Sequence, residues 1–153
     1  MTNIEQIALS RLELNNERIS CTGSQLASIL HEIEDQLHEL TWYVVDVLAR
    51  NHYCLELYEE KEGSQIPLKV GTTQDLIDFV LPVPQFESGI FLAVPTSMGP
   101  NIHWTPNLFN TENEEFIEPS ILIVRAFDTS YFEILSKKKD VIDRLTVRFS
   151  YRN

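Results

Sequence analysis

His31, Asp35 and His38 lie four and three residues apart, the spacing that sets three side chains on one stripe of an α-helix, where they could share a metal ion. The same stripe lies opposite the apolar face formed by Leu26, Ile33 and Leu37, with Glu34 and Glu39 beside it. That is also the pattern of an ordinary solvated helix surface. Three helical ligands without a fourth make a weak metal signature. A small metal-assisted hydrolase centred on these residues or on His103 therefore ranks third among the readings, and no cofactor is expected.

His103 and Trp104 fall in a proline-bearing stretch from Pro95 to Pro119, near Met98, Phe109 and Phe116. Loops of this length are usually functional or disordered. Exposed, these aromatics would anchor a partner; folded back, they would cover a sheet edge. As a catalytic base His103 has neither a nucleophile nor an orienting carboxylate in the surrounding sequence.

Acidic side chains gather at Glu56, Glu59, Glu60 and Glu62 and again at Glu112, Glu114, Glu115 and Glu118, with Asp75 and Asp78 between them. Paired carboxylates can serve acid–base or calcium chemistry. The alternation of Asp or Asn about a central Gly that a calcium loop needs is missing, and charge runs are commonly solvated surface. The sharper reading is an electrostatic surface for a basic protein partner. Both glutamate runs would steer the encounter, while Trp104 and Phe109 would supply buried anchor area beside His103.

Lys137-Lys138-Lys139 precede Arg144, Arg148 and Arg152, which recur every four residues. A basic stripe can grip phosphate. Here Asp140 stands four residues before Arg144 as a helix-supporting pair, and the acid excess elsewhere favours internal charge balance. Nucleophile elbows, phosphate-cradling glycine loops, paired zinc cysteines and HExxH are absent from the sequence. With only 5 glycines in the chain, a non-catalytic role is expected.

The elements that must position these residues read as follows. Leu12 and Leu14, then Ile19 and Cys21, flank the polar Asn15-Asn16-Glu17 as two short strands about a turn. Thr22 with Gln25 three residues on forms a capping box. Leu26, Ile29, Leu30, Ile33, Leu37 and Leu40 then recur at helical spacing, which predicts one helix. Thr41–Ala49 is rich in aromatic and β-branched residues and reads as a central strand. Further strands are predicted at 52–59, 66–70, 90–94, 121–127 and 131–135, the last two as a hairpin across Asp128-Thr129-Ser130. Thr72 or Thr73 caps a short helix ending near Pro82, and Lys137 to Tyr151 carries Val141, Ile142, Leu145 and Phe149 at helical spacing. No strict strand–helix alternation occurs, so the expectation is α+β: a mostly antiparallel sheet with about three helices packed on it.

At 153 residues and 43% hydrophobic content, the chain reads as a single globular domain, residues 1–153. No window offers the roughly 18 uninterrupted apolar residues of a membrane helix, and the first residues lack the basic start and apolar core of a secretory signal. Cys21 and Cys54 have no CxxC partner and read as buried thiols in a reducing compartment, which places the protein in the cytoplasm. The formal charge of −11 is polarised, −14 over residues 1–119 and +3 over 120–153. An acidic field repels phosphate backbones, so nucleic acid is disfavoured as a partner and no membrane partner is expected.

In size, acidity, architecture and lack of a catalytic motif the chain resembles the cytosolic immunity proteins that bacteria pair with polymorphic or contact-dependent toxins. The resemblance implies a partner of the basic nuclease type, neutralised by acidic segments that imitate the charge of its substrate. The alternative is a self-associating scaffold or regulatory module, a homodimer built from exposed strand edges and loop aromatics.

Overall fold

A computed structural model of the chain describes residues 10–15, 18–50, 67–100, 102–104 and 119–149. Within them six strands form one sheet: β1 (Ser10–Leu14), β2 (Leu40–Ala49), β3 (Leu68–Gly71), β4 (Phe86–Pro95), β5 (Leu122–Phe127) and β6 (Tyr131–Ser136). They lie in the order β1-β6-β5-β4-β2-β3, and every neighbouring pair is antiparallel. Three α-helices, α1 (Gly23–Glu32), α2 (Thr73–Val80) and α3 (Lys139–Phe149), complete an α+β fold.

Alternation along the strands assigns two faces. Trp42, Val44, Phe91, Ala93, Val124, Phe132 and Ile134 turn toward the helices and join Leu26, Leu30, Leu76, Ile77, Val141 and Leu145 in the main core. The other face carries a smaller apolar cluster of Tyr43, Val45, Ile90, Leu92, Val94, Ile123 and Leu135, against which Ile102 and Trp104 pack. Asp46 takes a left-handed φ of 54° where the β2–β4 register slips between Val45 and Leu48. This bulge inserts an extra residue and returns Val47 and Ala49 to the helix face, leaving Leu48 54% exposed.

The capping box expected at Thr22 is formed, and of the two candidate caps of the second helix it is Thr72 that serves, in a box of its own. Thr22 Oγ1 accepts from the Gln25 amide at 3.1 Å, and Gln25 Oε1 accepts from the Thr22 amide at 3.2 Å. At α2 the Thr72 hydroxyl accepts from the Asp75 amide at 3.1 Å, and the Asp75 carboxylate accepts from Thr72 N at 2.9 Å. Each box satisfies amide donors that a helix start leaves unpaired. α2 ends at Val80, ahead of Pro82, as the steric demand of proline on its predecessor requires.

Two local expectations are corrected. The continuous helix predicted over Leu26 to Leu40 stops at Glu32: Ile33 leaves helical geometry, a 3-10 turn follows at Glu34–Gln36, and Glu39 turns the chain with φ 59°. Leu37 and Leu40 are still buried, so their spacing records which residues face the core and not an unbroken helix. Ile19–Cys21 is not a strand, and β1 pairs instead with β6, more than a hundred residues away. The carbonyl of Cys21 nevertheless accepts from Phe86 N at 2.8 Å, holding this segment beside the start of β4. The strand predicted at 52–59 lies outside the described residues.

Candidate interaction surface

Of the residues expected to meet a partner, His103 and Trp104 are described. Glu56, Glu59, Glu60, Glu62, Phe109, Glu112, Glu114, Glu115 and Glu118 lie outside the described residues. His103 is exposed, while Trp104 is half-buried with its ring edge-on to Tyr43, centroids 5.4 Å apart and planes at 64°. The edge of one ring thus meets the electron-rich face of the other. Burial pushes the Tyr43 hydroxyl above its ordinary pKa, since the phenolate loses more by leaving water than the phenol does.

The interruption of the first helix separates His31, Asp35 and His38. His31 lies in the last turn of α1, Asp35 sits in the 3-10 turn and His38 lies beyond it. Asp35 instead accepts from Arg144 of α3, whose Nη1 also donates to the Glu32 carbonyl at 3.3 Å. The Arg144 guanidinium holds the Asp35 carboxyl below its ordinary pKa. Among the described residues, no group of three His, Cys, Asp or Glu side chains is placed to hold a metal ion.

The basic C-terminal stripe is engaged by the acidic end of α1. Besides the Arg144–Asp35 pair, Arg148 Nε lies 3.7 Å from Glu32 Oε2, and Lys138 Nζ donates to the Gln36 carbonyl at 3.1 Å. Glu32, Asp143, Arg144, Val147 and Arg148 line a shallow open groove between α1 and α3 that carries charges of both signs. Arg50 donates to the Gln85 side chain at 2.9 Å. The described residues carry 13 acidic and 10 basic side chains, a net −3. Residues outside them hold the remaining −8 of the formal −11. Of the two acids expected on the second helix, Asp75 serves the capping box and Asp78 accepts from Gln74 at 2.9 Å.

One constellation went unread in the sequence. Glu133 of β6 is paired directly opposite Arg125 of β5, both buried, with Nη1 to Oε1 at 3.4 Å; Arg11 of β1 reaches the second oxygen of the same carboxylate. The signal was a single charge of opposite sign in each arm of the predicted hairpin, LIVRAF and YFEILS. With the turn at Asp128–Ser130, the two charges meet in register. Phe127 and Tyr131 stack at 4.9 Å on the same face, next to the turn. Cys21 is buried and donates to the Tyr131 carbonyl at 3.1 Å, and burial pushes its thiol up to about 11.

Comparison of the chain with protein-family models, with curated proteins and with solved structures returned no match. Among the described residues no helix is long and apolar enough to cross a membrane.

Proposed function

We propose that this protein is a non-catalytic binding domain that neutralises a basic, nuclease-like toxin through an acidic surface, as bacterial immunity proteins do. The observation that supports this most is the disposition of the basic side chains. Arg11 and Arg125 lie on Glu133, Arg144 on Asp35, Arg148 beside Glu32, Arg50 on Gln85 and Lys138 on a backbone carbonyl. By formal charge the acids of the whole chain still exceed the bases by 11, and the runs Glu56 to Glu62 and Glu112 to Glu118 hold eight of its 23 acidic side chains. A concentrated negative potential speeds encounter with a cationic partner and selects against anionic ones.

The test is association with the product of the adjacent gene, compared between the parent chain and a variant carrying E59K, E60K, E114K and E115K. The reading expects the variant to bind at least about a hundredfold more weakly, with the salt dependence of the association rate flattened. Unchanged affinity and unchanged salt dependence in the variant would dismiss it.

A further inference from the structure

We propose that two copies of this chain pair edge to edge through β1, antiparallel, with Leu12 on the two-fold axis. Among the described residues β1 has β6 on one side and no strand on the other, so its outward amide and carbonyl groups can accept a further strand. In an antiparallel pair, residues whose backbone groups point outward meet only residues that do the same. A self-pairing of β1 can therefore be centred on Arg11, Leu12 or Glu13. Centring on Arg11 sets two arginines against each other, and centring on Glu13 sets two glutamates against each other. Centring on Leu12 sets each Arg11 opposite the other copy's Glu13 and engages all five residues.

The side chains suit that register. Arg11 and Glu13 are both exposed and stand on the sheet face away from the helices, where Glu13 accepts from the Asn15 side-chain amide at 2.9 Å and Arg11 lies on Glu133. Leu12, half-buried and packed against the main core, meets its own copy on the helix face. Opposite charges directly across two strands stabilise the pair and like charges oppose it, so one strand sequence both permits this register and rejects its neighbours. The opposite edge does not repeat the offer. β3 spans four residues, its pairing with β2 slips between Trp42 and Tyr43, and Gly71 at its end has φ 130°. The assembly is a closed, isologous dimer with one continuous sheet, not a filament. A five-residue seam buries less than a stable dimer needs, so the association is weak and concentration-dependent.

The experiment is sedimentation equilibrium from about 5 µM to about 500 µM on the full chain, on E13R, on R11E, and on an equimolar mixture of the two variants. Parent dimers are expected, with each variant alone weakened about tenfold or more, because both cross-strand pairs become repulsive. The mixture should regain dimer, since the strand of E13R, basic at both positions, then meets the strand of R11E, acidic at both. Thermal unfolding monitors whether R11E, which loses the contact to Glu133, remains folded. A second measurement does not depend on that variant: L12C treated with diamide should form a disulfide-linked dimer that the parent chain does not. A parent that stays monomeric throughout, E13R that dimerises as well as the parent, or L12C that fails to cross-link overturns the proposal.

Discussion

Trp42 Nε1 donates to Thr73 Oγ1 at 2.9 Å, inside the core, where the indole is fully buried and the threonine nearly so. Thr73 Oγ1 in turn lies 3.5 Å from the Leu37 carbonyl. This relay joins the first residue of α2, the helix-facing side of β2 and the chain reversal that follows α1. An indole brings a large apolar body and one N–H, and burying it is favourable only if that N–H finds an acceptor.

Thr73→Val keeps the shape and removes the acceptor. The unpaired N–H should cost about 1–3 kcal/mol in urea unfolding, with the m-value unchanged. Adding Trp42→Phe to Thr73→Val should cost less than the two single changes together, a coupling of at least about 0.5 kcal/mol in a double-mutant cycle. Strict additivity would remove the hydrogen bond from the account.

Gly23 is the first residue of α1, and its role is close approach. A Cβ built there would stand 1.9 Å from the Val80 carbonyl oxygen and 2.6 Å from that of Val83. Both obstacles are backbone, and Gly23 N donates to Val83 O at 3.0 Å, so neither partner can withdraw without breaking the contact between α1 and the end of α2. Gly23→Ala should destabilise the fold by about 2 kcal/mol or more, although alanine is the better helix former. A neutral or stabilising outcome in chemical denaturation would refute the close approach.

Much of this architecture was legible where the chain carries local chemistry. The capping box at Thr22, a threonine cap at Thr72 or Thr73, the stop before Pro82 and the hairpin across Asp128–Ser130 all follow from short-range rules, and all are formed, the second cap by Thr72. What was hidden is non-local. Nothing within Ser10–Leu14 tells it to pair with Tyr131–Ser136 in preference to the nearer Ile19–Cys21, because a strand's partner is chosen by the whole sheet. Likewise Leu37 and Leu40 keep a helical period while sitting in a turn and a strand, since a core constrains which residues are apolar more tightly than it constrains the backbone between them. The candidate site was less legible than the fold. His103 and Trp104 stand out by type, but only the tertiary structure lays Trp104 against Tyr43.

Glu133 lies at 2% exposure between Arg125 and Arg11. Removing one member of a buried ionic cluster leaves the others desolvated without compensation, which is worse than never having had the cluster. Glu133→Ala should therefore cost about 3–5 kcal/mol, while Arg125→Met with Glu133→Leu should come within about 1–2 kcal/mol of the parent, since the replacements fill similar volume without charge. Both follow from equilibrium unfolding. If the double variant fell as far as the single one, the loss would belong to packing and not to charge.

Asp35 gives the fold a defined acid response. Its carboxyl is held below the ordinary value, chiefly by the hydrogen bond from Arg144 and further by that residue's charge. A carboxylate whose folded pKa is depressed adds stability above its unfolded value of about 3.9, and loses it as pH falls through the folded value. The contribution of this pair is thus complete at neutral pH and disappears only in the acid range below about 4. Because Asp35 is exposed, salt screens the interaction, and the effect should shrink as ionic strength rises. Arg144→Gln should return the Asp35 titration, followed by side-chain carboxyl NMR, to the ordinary carboxylate range. It should also flatten the dependence of unfolding midpoint on pH below about 4, leaving the neutral-pH fold in place. An Asp35 titration that does not move in Arg144→Gln would show that the guanidinium is not what holds this carboxyl ionised.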